Sequence, residues 1–248
     1  MMRFAAKSDR GIVRQINEDS FNIIAGYPGI PVSFVIADGM GGHNSGDVAS
    51  KMAVDAVSRN LLQFPQSINE EYEINSIIQK IMKEANLEVY NASNENEAFF
   101  GMGTTLIVAV IYNKKLIIGH VGDSRVYVLR NGEMIQLTID HSFIEELIKN
   151  GSLTRDEAEN HPNRNIITRA LGCSEDIDVD TYFIDMKEND IFIICTDGLT
   201  NMLGENEIKD IIENAGDAEI ACNTLVESAI EKGGEDNITV ILFMEDSI

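Results

Sequence analysis

The sequence predicts an α+β fold in which two mostly antiparallel sheets pack face to face and pairs of helices cover their outer surfaces. Short β-branched segments crowd the middle of the 248-residue chain, and turn pairs such as Asn113-Lys114 and Asn131-Gly132 separate them. This pattern is typical of antiparallel hairpins. Helical segments come in pairs, so the regular βαβ alternation of a doubly wound fold is not predicted. Two packed sheets with helices outside would bury both the strand runs and the helix stripes.

The first part of the chain predicts three strands followed by two helices. The strand-like segments read MRFAAKSD, SFNIIAG and VSFVIADG. Apolar residues at helical spacing then predict helices at roughly residues 45–62 and 74–92. Pro65 lies in the polar segment that separates them.

The rest of the chain predicts a meander of strands and three further helices. The meander consists of TTLIVAVIY, KLIIGHVGD, RVYVLRN and EMIQL. A helix is expected at SFIEELIKN, ended by Gly151, within a polar segment at 140–171. Beyond it we expect the strands DTYFIDM and IFIICTDG, two helices near 204–214 and 217–232, and a last strand NITVILFM. No repeat or linker interrupts this pattern, so one domain over residues 1–248 is the simplest expectation.

The charge balance excludes several classes of function. There are 41 acidic against 19 basic residues, a formal charge of −22, and a nucleic-acid-binding protein needs a positive face. No stretch of about 18 apolar residues and no apolar leader segment occurs, so neither membrane insertion nor a signal peptide is predicted. The widely spaced Cys173, Cys195 and Cys222 are expected to be reduced, in a cytoplasmic protein, with Cys195 in the core.

Acidic residues lie at strand ends or beside glycine at five places. Asp38 and Asp197 each follow an apolar run closely and precede a glycine, and the other places are Glu18-Asp19, Gly122-Asp123 and Glu235-Asp236-Asn237. Any one of these pairs is typical of a turn, and five separate turns remain an alternative interpretation. If several of them meet in one cleft, their repulsion would require cations.

The ligand type indicates which cation and which chemistry. Carboxylate and carbonyl oxygens suit Mg²⁺, Mn²⁺ or Ca²⁺. The sequence contains no D-x-D-x-D-G calcium loop and no CxxC or HxxxH zinc spacing. Two ions about 3.5–4 Å apart can activate a bridging water and stabilise both oxygens of an in-line displacement. A dinuclear carboxylate centre therefore favours phosphoryl hydrolysis.

Eight motifs follow one another from near residue 8 to near residue 243. They read RGIVRQINEDS, VIADGMGGHNSGDVAS, GMGTTL, HVGDSRVYVLR, LTIDHS, HPNRNIITRALG, CTDGLTN and GGEDNITVIL. In this order they resemble the metal-dependent serine/threonine protein phosphatases of the protein phosphatase 2C-like family, in its compact bacterial form. The resemblance implies a monomer with a four-layer α-β-β-α sandwich, metals at one end of the sheets, and a flap near 140–171 beside the active site.

The resemblance also implies a set of metal ligands for two Mn²⁺ or Mg²⁺ ions. Asp38 would bridge both ions, and the backbone carbonyl of Gly39 would bind one of them. Asp197 and Asp236 would hold the other ion. Glu18 would reach its ion through a water molecule.

Four further positions carry expectations from the same resemblance. Arg14 would bind the substrate phosphate, for which a guanidinium fork is well suited, and Asp123 would help to form a third, weaker metal site. Met40 stands where many eukaryotic members carry a histidine proposed as the general acid, and His43 lies nearby. Asn201 stands where some members carry an aspartate, so the third site is expected to be weak.

The implied reaction is direct hydrolysis. A metal-activated water would attack phosphorus in phosphoserine or phosphothreonine, without a phosphoenzyme. The partners would be phosphorylated proteins, by analogy a bacterial Ser/Thr kinase and its substrates.

His120, Thr104 and Thr105 are expected to have structural roles. Three alternatives stay open: a carboxylate-nucleophile phosphotransferase, a binding module that docks phosphoproteins, and a stress-signalling phosphatase that acts on an anti-sigma antagonist.

Overall fold

A computed structural model describes residues 2–41, 45–64, 71–158 and 161–245. Pro65 and His43, both named in the sequence analysis, lie outside the described residues. Five strands form a first sheet with antiparallel neighbours throughout. In spatial order they are β1 (Met2–Asp9), β11 (Ile238–Glu245), β10 (Ile191–Cys195), β7 (Arg125–Arg130) and β8 (Glu133–Gln136).

The second sheet is also antiparallel and packs against the first. Its spatial order is β2 (Asp19–Ile24), β3 (Ser33–Met40), β5 (Leu106–Tyr112), β6 (Lys115–Val121) and β9 (Asp180–Asp185). The short strand β4 (Gly103–Thr104) pairs with the end of β3, where Gly39 lies opposite Thr104. This extra pairing supports the backbone directly after Asp38.

Seven α-helices are formed by the described residues. They are α1 (Gly46–Leu61), α2 (Glu71–Glu95), α3 (Phe143–Lys149), α4 (Arg155–Ala158), α5 (Asp197–Thr200), α6 (Glu205–Ala215) and α7 (Ala218–Glu231). Ser142 caps α3, since its side-chain oxygen accepts a hydrogen bond from the Glu145 amide at 3.2 Å. None of the helices in this part of the chain is both long and apolar enough to cross a membrane.

Three apolar layers separate four layers of secondary structure. Phe34, Phe192 and Phe243 stack between the two sheets, with ring centroids 4.1 and 5.1 Å apart. The opposite face of β3, including Val35, packs with α1 and α2, and the outer face of the first sheet packs with α6 and α7. The predicted α-β-β-α sandwich is therefore confirmed, whereas the single domain over residues 1–248 stays a prediction.

The structure differs from the sequence prediction at two elements that matter for the site. The predicted strand IFIICTDG ends at Cys195, and residues Asp197–Thr200 form the helical turn α5 instead. An acidic residue in the first turn of a helix is favourable, because the amide groups there are unpaired. The predicted flap at 140–171 contains a second short helix, α4, after the expected one.

Candidate metal centre

The register between β2 and β3 places Asp19 directly opposite Asp38. Directly opposed residues of an antiparallel pair project to the same face of the sheet. Asp38 is partly buried, and its pKa lies well above the ordinary value, first because of the burial of its carboxyl group and then because of the charges of Asp19, Asp197, Asp123 and Asp236. The structure therefore brings together carboxylates from all five acidic places in the sequence.

Asp197 lies at the start of α5, between two partners. Burial and then the charge of Asp236 raise its pKa, whereas side-chain hydrogen bonds with Asn201 and Asp38 act in the opposite direction. The Asn201 amide Nδ2 donates to Asp197 Oδ2 at 3.0 Å. The carboxyl groups of Asp38 and Asp197 are therefore neighbours in the cluster.

Asp19 and Asp123 each have one buried carboxylate oxygen without a hydrogen-bond partner among the described residues. The other oxygen of Asp19 accepts hydrogen bonds from Thr239 Oγ1 at 2.6 Å and Thr196 Oγ1 at 3.0 Å. Burial raises the pKa of Asp19 to about 7. Burial, followed by the charges of Asp197 and Asp140, raises the pKa of Asp123 to about 8.

This donor set fits hard divalent cations. Clustered carboxyl groups with raised pKa values and unpaired oxygens are stabilised when a cation replaces their protons. In the described part of the chain, no three His, Cys, Asp or Glu side chains form a metal site on their own. Water molecules and backbone carbonyls would therefore complete the coordination, as Mg²⁺ and Mn²⁺ sites commonly require.

Backbone contacts at Gly39 hold Glu18 beside the centre. The Gly39 amide donates to the Glu18 carbonyl at 3.1 Å, and the Gly46 amide donates to Glu18 Oε1 at 3.1 Å. A Cβ atom on Gly39 would collide with the Gly46 backbone. Burial raises the pKa of Glu18, and the Gly46 hydrogen bond and the Arg14 charge oppose that rise. Glycine is thus required for the close approach of these segments.

Arg14 lies at the rim of the same cluster. Its Nη2 donates to Asp236 Oδ2 at 2.7 Å, and its side chain is 47% exposed. This is an ion pair that solvent reaches, so its contribution to stability is small. A guanidinium in this position can bind an anion at the mouth of the carboxylate cluster.

Asn237 fixes the loop that carries Arg14 and Glu18, and sequence reasoning assigned it no role. Its Oδ1 accepts from the Glu18 amide at 2.7 Å, and its Nδ2 donates to the carbonyls of Arg10 and Ile16 at 2.9 Å each. The side chain is buried. These partners are more than 200 residues away along the chain, so no local pattern could have indicated them.

Thr104 and Thr105 hold the backbone of Asp38. The Asp38 amide donates to Thr105 Oγ1 at 2.9 Å, and Thr104 Oγ1 donates to the Asp38 carbonyl at 2.8 Å. The Thr105 amide also donates to that carbonyl at 2.9 Å. Their expected structural role therefore consists in orienting the central carboxylate.

The Gly122-Asp123 corner is held by two histidines. His120 Nε2 lies 3.0 Å from the Ser124 carbonyl, as expected of a structural residue, and burial lowers its pKa to about 3. The Gly122 amide donates to His141 Nδ1 at 3.0 Å, and the His141 amide donates to the Gly122 carbonyl at 2.8 Å. The beginning of the flap is thereby joined to the segment that carries Asp123.

Comparison with known proteins identifies the family of this fold and site. The family model described as protein phosphatase 2C matches residues 10–231. The chain belongs to the protein phosphatase 2C family. This confirms the resemblance inferred from the eight motifs.

Bacterial proteins of this family match the chain over nearly its whole length. Serine/threonine phosphatase stp of Listeria monocytogenes serotype 4b (strain F2365) is 39% identical over 240 residues, covering 97% of this chain and 94% of that protein. Protein phosphatase PhpP of Streptococcus pneumoniae is 37% identical over 241 residues, covering 97% and 96%.

Solved structures of this family share the fold. The serine/threonine phosphatase of S. agalactiae has a TM-score of 0.93 and 33% identity, covering 99% of this chain and 100% of that one. The catalytic domain of the serine/threonine protein phosphatase PstP, in complex with two manganese ions, has a TM-score of 0.83 and 30% identity, covering 98% and 97%.

Proposed function

We propose that this phosphatase 2C family member is a metal-dependent protein serine/threonine phosphatase, which hydrolyses phosphoserine and phosphothreonine in proteins. The observation that carries the proposal is the convergence of Asp38, Asp197, Asp236, Asp19 and Asp123 in one cluster of buried and partly buried carboxyl groups at the end of the sheets. Relatives named serine/threonine phosphatase cover nearly the whole chain at 38–39% identity, which supports the same activity here.

The proposed metal ligands are Asp38 between two ions, the Gly39 carbonyl, Asp197 and Asp236, with Glu18 acting through water. When bound, two Mn²⁺ or Mg²⁺ ions would supply charge neutralisation and an activated water. The manganese in the PstP structure supports Mn²⁺ as one such ion. Asp123, whose buried oxygen has no hydrogen-bond partner among the residues that the structure describes, is the candidate for a third and weaker site.

Arg14 is the proposed phosphate-binding residue. Its side chain is half exposed, and Nη2 pairs with an oxygen of Asp236. Because solvent reaches the side chain, a phosphate dianion can reach the other N–H donors of the guanidinium. Arg14 would orient the phosphoryl group and stabilise the charge that develops on its oxygens. This role needs no covalent intermediate on the protein.

The serine or threonine oxygen that leaves phosphorus needs a proton. Met40 has none to donate, and His43 lies outside the described residues. We therefore propose no side chain as the general acid, and a water molecule at the site is sufficient for this transfer.

The proposed substrates are phosphorylated proteins, among them a bacterial Ser/Thr kinase and its targets, and the enzyme is proposed to act as a cytoplasmic monomer. The binding-module alternative is disfavoured because Asp38, Asp197 and Asp236 are all present and close together. The carboxylate-nucleophile alternative would require an Asp-x-Asp motif, and Asp38 is followed by Gly39 and Met40 instead.

The test is hydrolysis of a phosphothreonine peptide by wild-type protein and by Asp38→Asn, each treated with EDTA and then titrated with Mn²⁺. We expect activity that depends on Mn²⁺ in the wild type and is lost in Asp38→Asn. Asp210→Asn, an exposed substitution on α6, is the matched control and should keep wild-type activity. A folded wild-type protein that releases no phosphate at any Mn²⁺ or Mg²⁺ concentration would refute the catalytic proposal.

A further inference from the structure

The loop between β1 and β2 presents two large aliphatic side chains to solvent directly before Arg14. Ile12 is 65% exposed and Val13 is 62% exposed. Single exposed apolar residues are common on protein surfaces and need no explanation. Two consecutive β-branched residues directly before a proposed phosphate-binding arginine are a more specific feature, because they place an apolar surface next to that arginine along the chain.

This exposure does not result from a poorly supported loop. The Ile12 amide donates to the Gly234 carbonyl at 3.0 Å, and the Gly11 amide donates to Asp9 Oδ1 at 2.9 Å. Asn237 holds the carbonyls of Arg10 and Ile16 on both sides of the pair. The two side chains are therefore presented by a fixed backbone, and binding a ligand there would cost little ordering entropy.

The backbone conformation of Gly11 also fixes this loop. Its φ of +73° lies in the left-handed region, and a Cβ atom there would lie 2.6 Å from the Gly234 carbonyl oxygen. Glycine thus permits the loop to pack closely against the segment that carries Asp236. The position of Ile12 and Val13 relative to the carboxylate cluster is set by this packing.

Spacing along the chain places the aliphatic pair within reach of residues that flank a phosphorylated side chain. Consecutive Cα atoms are about 3.8 Å apart, and an extended peptide advances roughly 3.3–3.6 Å per residue. Val13 and Ile12 lie one and two residues before Arg14. When Arg14 binds the phosphate, side chains about one to three residues from the phosphorylated position can therefore contact the pair.

The charges around the loop do not by themselves select one class of flanking residue. Arg10 and Arg14 lie on the loop itself, and Glu18 and Asp236, which contact it, are proposed ligands of divalent cations that would neutralise them. An apolar side chain would gain contact with Ile12 and Val13, and a charged side chain is the competing possibility.

We propose that Ile12 and Val13 form a recognition surface for an apolar side chain next to the phosphorylated residue of the protein substrate. This inference rests on the proposed phosphatase function and deepens it, because it names a class of preferred substrate. The surface acts on peptide recognition, so a substrate without flanking residues does not use it.

The experiment compares phosphothreonine peptides of equal length that carry Leu, Lys, Glu or Ser at each position from −3 to +3. The values of kcat/KM are measured with Mn²⁺ for the wild type and for Ile12→Ser, Val13→Ser and the double variant. p-Nitrophenyl phosphate reports the chemistry without flanking residues. We expect the wild type to prefer Leu over Ser at one or more positions by about fivefold to tenfold, mainly through KM.

The double variant should bring that Leu-to-Ser ratio close to one. Ile220→Ser is the matched control, since Ile220 is an aliphatic residue that is 52% exposed. It lies on α7 about 16 Å from the helix end at Glu231, and the loop with Ile12 contacts the chain just beyond that end, at Gly234. This control should keep the wild-type preference. Circular dichroism and thermal unfolding confirm that each variant is folded.

The outcomes separate this inference from the proposed function. Peptide hydrolysis with no preference at any position, or with a preference for Lys, overturns the recognition surface and leaves the phosphatase function standing. An apolar preference that the double variant retains also overturns it. If neither p-nitrophenyl phosphate nor any peptide is hydrolysed, the proposed function fails and the recognition surface fails with it.

Discussion

Asn201 donates a hydrogen bond from Nδ2 to Asp197 Oδ2 at 3.0 Å, at the position where some family members carry an aspartate. The Asn201 amide donates a hydrogen bond to the Asp197 carboxylate, whereas an aspartate at position 201 would repel it. Asn201 therefore partly stabilises the negative charge on Asp197. The neutral residue therefore supports the cluster when no cation is bound, and at the proposed third site it would be a weaker ligand than an aspartate.

We expect Asn201→Asp to lower stability in EDTA by about 1 kcal/mol or more, because it removes this hydrogen bond and adds a like charge beside Asp197. Saturating Mn²⁺ should reverse the loss and stabilise the variant more than it stabilises the wild type. Thermal unfolding in EDTA and along a Mn²⁺ titration measures both effects. Asn201→Ala loses only the hydrogen bond, so an equal response to Mn²⁺ in the two variants would contradict the charge argument.

Asn237→Ala should destabilise the protein by about 3 kcal/mol, since it removes a buried side chain and leaves the Glu18 amide and the Arg10 and Ile16 carbonyls without this partner. Urea unfolding measures this loss. The variant should also raise KM for phosphopeptides, because the loop that carries Arg14 loses its support.

The control for this prediction is Asn214→Ala on α6, where the exposed amide donates to the Asp210 carbonyl at 2.7 Å. A surface hydrogen bond of this kind should cost less than about 0.5 kcal/mol. Similar losses in the two variants would mean that Asn237 does not act as a buried clamp.

Much of the fold and several site residues could be predicted because their signals are local. Asp38 follows the apolar run of β3, and the run before Asp197 likewise ends within two residues of the acid. A carboxylate that follows core residues so closely is unusual for a solvated turn. The segments that supply the two sheets were also visible, since strand runs and turn pairs depend on neighbouring residues.

The remaining features depend on contacts between distant parts of the chain. Asp19 lies opposite Asp38 only because β2 and β3 pair in one register, and a shift by one residue would turn its side chain to the other face. Thr239 and Thr196 donate to Asp19 across 220 and 177 residues. The helical turn α5 was predicted as strand, because the apolar run gives no local sign that pairing stops at Cys195.

Arg14→Ala should lower kcat/KM for phosphopeptides by about 100-fold, because a charge-assisted contact to the phosphoryl oxygens is lost. Stability should change by less than about 1 kcal/mol, because the Arg14–Asp236 pair is open to solvent. Steady-state kinetics and thermal unfolding give the two values.

Arg59→Ala is the matched control, since it removes an exposed ion pair of similar length, 2.8 Å to Glu88, on the helices outside the site. Its kcat/KM should equal that of the wild type. A loss of activity in Arg14→Ala that is explained by a large loss of stability would contradict a direct role in phosphate binding.

In EDTA, the stability of the protein should fall as pH rises from about 4 to about 8. A protein whose carboxylates are ion-paired shows the opposite dependence. Burial raises the pKa of Asp19 to about 7 and of Asp123 to about 8, from the ordinary value of 3.8. Between about pH 4 and pH 8 the folded state therefore holds protons that the unfolded state has released. Because the unfolded state binds fewer protons, stability in EDTA should fall as pH rises through this range.

Mn²⁺ should weaken or reverse this slope, since cations replace the protons on the same carboxyl groups and bind more tightly as pH rises. Thermal unfolding between pH 5 and 8, with EDTA and with Mn²⁺, measures the difference. Asp19→Asn removes one of the titrating groups and should flatten the slope in EDTA, whereas Asp210→Asn on the surface of α6 should leave it unchanged. A stability in EDTA that rises from pH 5 to 8 would show that Asp19 and Asp123 are already ionised in the folded protein, and that the cluster does not depend on cations for its neutralisation.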